Sequence, residues 1–307
     1  MSMIKLWKDM GVKMIEVTKE GTKYPFSKGI LARSLSITGL TLDQIYEIVR
    51  DINKKIQEGE QNTISSKIIK RMVRRELLDR GYEEEEKFYR VSRKIRYLDK
   101  PLLVLIGGGA GVGKSTISSE LGVRLGINRI VGSDSVREIM REMLPYEVIP
   151  ALHESSFTTH KAVEASFVKN KLIYGFDQQV RLVSVGLKAI IERGIKEGLN
   201  TIINGVHLVP GYLDIESEKG SYAFQYVLDV SGQSEHEERF KMRAEGSHRD
   251  PDRYIENIDN IKKIQEYNIR QAEQNDARVL NNSDIESTIR EIMTDIINKL
   301  EPVIENE

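Results

Sequence analysis

The stretch Leu102-Leu103-Val104-Leu105-Ile106-Gly107-Gly108-Gly109-Ala110-Gly111-Val112-Gly113-Lys114-Ser115-Thr116 decides the fold. Five apolar residues predict a buried strand, and Ile117, Leu121 and Leu125 give Thr116–Leu125 the spacing of a helix. Between them, Gly108 to Ser115 fits the pattern G-x-x-x-x-G-K-[ST] in full. In this reading the main chain of Gly108, Gly109, Ala110, Gly111, Val112, Gly113, Lys114, Ser115 and Thr116 cradles phosphate, because glycine lets backbone N–H groups converge on an anion. The helix N-terminus adds partial positive charge, Lys114 reaches the terminal phosphates, and the Ser115 hydroxyl is placed for Mg²⁺. A bare glycine-rich turn is the alternative, but strand, loop, lysine, serine and helix all stand in register. A nucleoside-triphosphate site is expected.

Around this site, the whole chain reads as an ordinary globular protein. Of its 307 residues 39% are hydrophobic and 30% charged, enough for one large domain or two smaller ones. Its 46 basic and 47 acidic side chains nearly cancel, which argues against nucleic acid or an anionic membrane as partner. With no cysteine there is no disulfide, thiol nucleophile or thiolate metal site. The sequence has no signal-peptide pattern and no apolar stretch of membrane-spanning length, so a cytoplasmic location is expected.

Two modules are expected on either side of a charged segment. Residues 12–26 read as a hairpin turning at Lys19-Glu20-Gly21-Thr22, followed by helices over Lys28–Ile37, from Thr41, and over Ser65–Asp79. Thr41-Leu42-Asp43-Gln44 is a capping box, and Ile45, Ile48, Val49, Ile52 and Ile56 form one stripe. In the third helix Ile68, Ile69, Met72, Val73 and Leu77 are expected to face inward. Residues 1–82 thus form the first module, 83–99 a solvated helical linker, and 100–307 the second. Beyond Pro101, strands at Leu102–Ile106, Arg129–Val131, Thr201–Ile203, Phe224–Asp229 and Arg278–Leu280 alternate with helices at Gln178–Glu197, Ser234–Ala244, Pro251–Asn275 and Ile285–Leu300. The fold class is α/β: a P-loop-type parallel sheet flanked by helices, preceded by a small α+β module.

Three further clusters point to phosphoryl transfer onto a small molecule. Gly132-Ser133-Asp134-Ser135-Val136-Arg137 follows the second strand, at the sheet edge where α/β proteins bind ligands. Asp134 is read as a Mg²⁺-water ligand or the base that orients the attacking hydroxyl, with a plain helix cap as the alternative. Arg137 and Arg141, four residues apart, suit an anionic substrate. After the third strand, Asn204 stands where many P-loop proteins carry an acid, and His207 is read as a ligand for a substrate oxygen or a plain turn residue. Arg239 and Arg243, then Arg249 and Arg253, read as a cationic lid over the transferred phosphoryl group. The guanine-reading Asn/Thr-Lys-x-Asp motif is missing, which sets GTPase switches aside. Asn281-Asn282 are candidates for an adenine edge.

The N-terminal order of hairpin and helices, with Val17-Thr18-Lys19-Glu20-Gly21, Phe26-Ser27, Ser34-Leu35 and Gly39, resembles the ATP-cone, a regulatory nucleotide-binding module. Together with the P-loop, Gly132-Ser133-Asp134-Ser135-Val136-Arg137-Glu138, Glu154-Ser155-Ser156, Asn204-Gly205-Val206-His207-Leu208-Val209-Pro210-Gly211 and Arg239-Phe240-x-x-Arg243, nearly the whole chain resembles the archaeal 2-phosphoglycerate kinases. That resemblance implies ATP- and Mg²⁺-dependent phosphorylation of 2-phosphoglycerate to 2,3-diphosphoglycerate, the precursor of a cyclic compound. Such an acceptor already carries a phosphate and a carboxylate, which agrees with the supply of arginines. The expected catalytic set is Lys114, Asp134, Arg137, Arg239 and Arg243. Substrate ligands are Arg137, Arg141, His207 and Arg249, and the metal ligands are Ser115 and Asp134. A kinase for a nucleoside, a sugar or a polynucleotide end is the near alternative, and an ATP-sensing regulator without transfer the distant one. The sequence leaves a homo-oligomer open.

Overall fold

The computed structural model describes residues 15–164, 166–213, 220–230, 232, 236, 238–240 and 251–305. Its chain divides into two compact units, residues 1–94 with 297–307, and residues 95–296.

The first unit opens with the hairpin β1 (Glu16–Lys19) and β2 (Thr22–Pro25), paired antiparallel with Lys19 opposite Thr22. Its two-residue turn holds Glu20 at φ 49° and Gly21 at φ 81°, the doubly left-handed geometry that matches strand twist. A third strand, β3 (Thr63–Ser65), which sequence reasoning missed, pairs parallel to β1. Four helices cover this sheet: α1 (Lys28–Leu35), α2 (Leu42–Glu58), α3 (Ser66–Asp79) and α4 (Glu83–Ser92). Both halves of the Thr41–Gln44 capping box form, and the five-residue stripe of α2 is buried in the unit's core. Ile68 is a correction: it is 42% exposed, while Ile69, Val73 and Leu77 take the inward face of α3.

The charged segment also departs from its reading as a solvated linker. Helix α4 buries Phe88, Tyr89 and Val91, and even Glu85 and Glu86 are covered. Glu86 accepts from the Arg74 guanidinium and faces Arg90, so its charge is compensated inside the unit. The density of charge masked an apolar face of normal helical period.

In the second unit the five predicted strands form: β4 (Leu102–Gly107), β5 (Arg129–Gly132), β6 (Thr201–Asn204), β7 (Tyr222–Asp229) and β8 (Arg278–Asn281). They pair in parallel in the order β5-β6-β4-β7-β8. All six residues of β4 are buried, as befits a central strand of a parallel sheet. Helices α5 (Lys114–Leu125), α6 (Ser133–Met143), the short α7 (Pro150–His153), α8 (Lys171–Lys196), α9 (Pro251–Ile255) and α10 (Ile258–Gln274) fill the connections, and α11 (Ile285–Glu305) follows β8, its residues from 297 on belonging to the first unit. Val136 of α6 and Val183, Leu187 and Ile191 of α8 pack on Leu103, Leu105 and Ile203 of the sheet.

Helix α8 starts earlier than its apolar spacing suggested, because the Asn170 side chain caps it by accepting from the Ile173 N–H at 3.2 Å. The helix expected over Pro251–Asn275 is broken at Glu256-Asn257. There the Asn257 side chain donates to the Arg253 carbonyl at 2.8 Å and competes with the helical ladder. Most of the helix expected over Ser234–Ala244 lies outside the described residues. No helix among the described residues is long and apolar enough to cross a membrane.

Candidate active site

The chain leaves β4 toward β5 on one side and β6 toward β7 on the other, which makes the carboxyl ends of β4 and β6 the binding crevice of such a sheet. Register sets these ends level. Asn204 lies opposite Ile106 of β4 and Gly132 of β5, and the Gly205 N–H donates to the Ile106 carbonyl at 3.1 Å. The P-loop after β4, Asp134 after β5 and the Asn204–His207 turn after β6 therefore meet at one edge.

On the P-loop side, Gly113 at φ 88° caps α5, and a Cβ there would run into the amide nitrogen of Asn282. Lys114 donates to the Gly109 carbonyl and so lies back along the loop. Ser115 and Thr116 are exposed in the first turn of α5. The loop is buttressed from several sides, in two places (Gln265 and His236) by residues that sequence reasoning missed. Gln265 of α10 accepts from the Gly109 N–H and donates to the Leu228 carbonyl at 2.9 Å. His236 donates through Nε2 to the Ala110 carbonyl. Asn282 donates to the Val112 carbonyl at 2.8 Å, so its amide group is engaged with the loop. Arg239 donates to the Asn282 carbonyl, which seats it beside the P-loop. Rings continue outward from there: His236 stacks on Phe240 at 5.1 Å, Phe240 on Tyr254 at 4.9 Å, and Tyr254 meets Phe157 at 5.5 Å. Arg253 lies over the Phe157 ring and donates to Ser155 Oγ. Arg243 and Arg249 lie outside the described residues.

Across the edge, Asp134 sits in the first turn of α6 with its carboxylate 69% exposed and 3.9 Å from His207 Nδ1. The backbone of Gly132 is the N-cap and no side chain caps this helix, so the capping role considered for Asp134 is not what the structure holds. Arg137 differs from its expected role, and Arg141 carries an ion pair on the same helix. Both pair with Glu138, at 2.6 and 2.7 Å, and Arg137 also donates to the carbonyls of Leu152 at 3.0 Å and Glu154 at 3.1 Å. Arg137 is thus a brace for the 152–154 backbone, not an open fork for a ligand. His207 is corrected too. It is buried, and both ring nitrogens are taken, by Ser133 Oγ at 2.8 Å and Gln179 Oε1 at 3.0 Å. Burial drives its pKa down to about 4 against the pull of Asp134, with Arg137 and Lys114 adding to the fall, so the ring is neutral near pH 7. The signal that exposes this role is spatial, the convergence of Ser133 and Gln179 from distant parts of the chain.

A P-loop heading the central strand of a five-stranded parallel sheet, with a carboxylate and arginines along the same edge, defines a P-loop nucleotide-dependent phosphotransferase. Residues 14–97 match the ATP cone domain. Over 288 residues the chain is 38% identical to a protein of Pyrococcus horikoshii named 2-phosphoglycerate kinase, covering 93% of this chain and 95% of that one. Identity is 39% over 290 residues to the protein of that name from Thermococcus kodakarensis, covering 94% and 99%. It is 35% over 310 residues to that of Methanococcus maripaludis, covering 97% and 98%. The chain belongs to the 2-phosphoglycerate kinase family. A crystal structure of a gluconokinase from Sinorhizobium meliloti 1021 aligns over 67% of this chain and 98% of that one, at 15% identity and a TM-score of 0.39.

Proposed function

We propose that this chain transfers the γ-phosphoryl group of ATP to 2-phosphoglycerate. The acceptor has one free alcohol, its 3-hydroxyl, so the new O–P bond forms there while the bond to the ADP leaving oxygen breaks. The products are 2,3-diphosphoglycerate and ADP. The observation that supports the chemistry is the level register of Ile106, Asn204 and Gly132, which brings the P-loop and Asp134 to one edge of the sheet with the Asn204 turn between them. Family membership carries the choice of acceptor.

Each candidate residue takes a role in this reading. The P-loop from Gly108 to Ser115 holds the phosphates, with the Gly109 N–H kept by Gln265 as part of the loop's frame, and Lys114 neutralises the oxygens on which charge builds. Asp134 orients the 3-hydroxyl and takes its proton. Arg239, with Arg243 and Arg249, supplies positive charge over the equatorial oxygens. Arg137 fixes the segment beside the acceptor, with Arg141 behind it. The Ser115 hydroxyl is an oxygen donor of the kind a hard cation such as Mg²⁺ takes and would hold it, with the Asp134 carboxylate reaching the ion only through one of its waters. When bound, that ion supplies positive charge to the phosphate oxygens. Because ATP is the donor, the cytoplasm is the compartment this reading implies.

Replacing Asp134 by asparagine keeps the shape and removes the base. Steady-state ADP release should fall by about 10²-fold or more in kcat, with KM for ATP within a few-fold. A kcat within a few-fold of wild type would take Asp134 out of the chemistry. The function itself is read by offering ATP–Mg²⁺ with 2-phosphoglycerate, 3-phosphoglycerate, glycerate and nucleosides in turn. ADP release with 2-phosphoglycerate and a doubly phosphorylated product is the expected result. Nucleoside-dependent release would move the assignment to the near alternative, and no acceptor-dependent release to the ATP-sensing one.

A further inference from the structure

Behind Asp134 lies a buried polar chain that no step above uses. Ser133, His207 and Gln179 are at most 1% exposed, and they come from α6, the turn after β6 and the middle of α8. The two amide hydrogens of Gln179 go to the carbonyls of Ala151, at 2.7 Å, and Glu154, at 2.9 Å. Its Oε1 is therefore the atom that faces His207, and His207 Nε2 must carry the ring hydrogen. The neutral ring then presents Nδ1 as an acceptor, and the Ser133 hydroxyl donates to it. Arg137 closes the circuit from the other side through Leu152 and Glu154. The groups facing the ring are Asp134 and Arg137 from α6, Lys114 from α5, and Gln179 with the Phe176 ring from α8.

Such a network is costly if any member is unsatisfied, and the surrounding positions Val136, Leu152, Val183 and Leu208 are apolar. What it joins is informative. One end is the residue before Asp134, and the other is the backbone leading to Ser155, which Arg253 touches. We propose that Ser133, His207 and Gln179 form a positioning relay that holds Asp134 and the 151–155 segment at a fixed separation across the acceptor site. None of the three touches substrate. The relay rests on the phosphotransfer reading above.

A double-mutant cycle on the full chain tests this. Ser133→Ala removes one hydroxyl, and His207→Phe removes both polar contacts while filling the same space. In acceptor-dependent ADP release, corrected for folded protein by circular dichroism, kcat should fall about tenfold in Ser133→Ala and about a hundredfold in His207→Phe. KM for ATP should stay within twofold, since the P-loop is untouched. The double variant should fall no further than His207→Phe, because residues acting as a unit do not add. His207→Asn, whose amide reaches the Nδ1 position, should recover most of the Ser133 arm. If His207→Phe does not fold, Ser133→Ala and His207→Asn carry the test alone. A kcat per folded molecule within twofold of wild type in the single variants, or losses that multiply in the double, would overturn the relay. If wild type turns over only with another acceptor, the substrate assignment fails while the cycle, run with that acceptor, still decides the relay. If wild type turns over with none, both fall.

Discussion

Replacing Lys114 by alanine should lower phosphoryl transfer by about 10²–10³-fold or more while the fold survives. The side chain leaves the first residue of α5 and bends back onto the Gly109 carbonyl, so its ammonium spans the loop that holds the phosphates. Ground-state and transition-state phosphates differ in how charge is shared between the bridging and terminal oxygens, and a fixed cation there acts on that difference. Stability is a separate matter. Alanine is a better helix former than lysine, and the site is only half-buried, so the thermal midpoint should move by no more than a few degrees. Turnover and melting of the same preparation give both numbers. Turnover within tenfold of wild type would remove Lys114 from the donor site.

Gly205→Ala should have the largest effect on stability. Gly205 sits at φ 151°, and a Cβ there would fall on the Ser133 side chain, 2.6 Å from its Cβ and closer still to its Oγ. The backbone cost of such a conformation is about 1–3 kcal/mol and overpacking adds about as much, so a loss of about 2–6 kcal/mol is expected. That is a large share of the 5–15 kcal/mol typical of a native protein. Any molecule that still folds must push Ser133 aside and move the start of α6, so activity per folded molecule should fall as well. Gly198→Ala is the comparison. That residue is also left-handed, at φ 66°, but its Cβ meets nothing within 4 Å, so only about 1–2 kcal/mol is at stake. Urea unfolding of the two variants separates collision from backbone strain. Equal losses would mean that the contact with Ser133 relaxes freely.

Much of this architecture was legible where one local rule sufficed. The five strands of the second unit declared themselves as short apolar runs, and the P-loop and the Thr41 capping box are spacing rules with one physical meaning each. Strand β3 was not legible, since Thr63-Ile64-Ser65 becomes a strand only because β1 offers it an edge. Helix α4 was misread because its acids and bases outnumber the residues of its apolar face. In the site, the positions of Lys114 and Asp134 follow from the strands that precede them. The engagements of Arg137, His207 and Asn282 do not, for each depends on a partner far away in sequence: Leu152 and Glu154, Gln179, and Val112. Sequence marks a polar residue near a strand end. Whether it faces a ligand or the protein is decided by what the rest of the chain brings against it.

The first unit is made from two stretches that lie far apart in the sequence. Residues 297–305 complete it: Leu300 and Ile304 are buried, Glu301 pairs with Lys87 and Arg90, and Lys94 donates to the Ile304 carbonyl at 3.3 Å. During synthesis, residues 15–94 emerge first, yet their last packing partners follow roughly 200 residues later. At the usual ribosomal speed that delay is about 10–40 s. The nascent amino-terminal segment must therefore wait, incompletely packed, until the P-loop unit has been translated. Expressed as residues 1–94 alone, it would keep the hairpin and α1–α4 but lack these contacts for good.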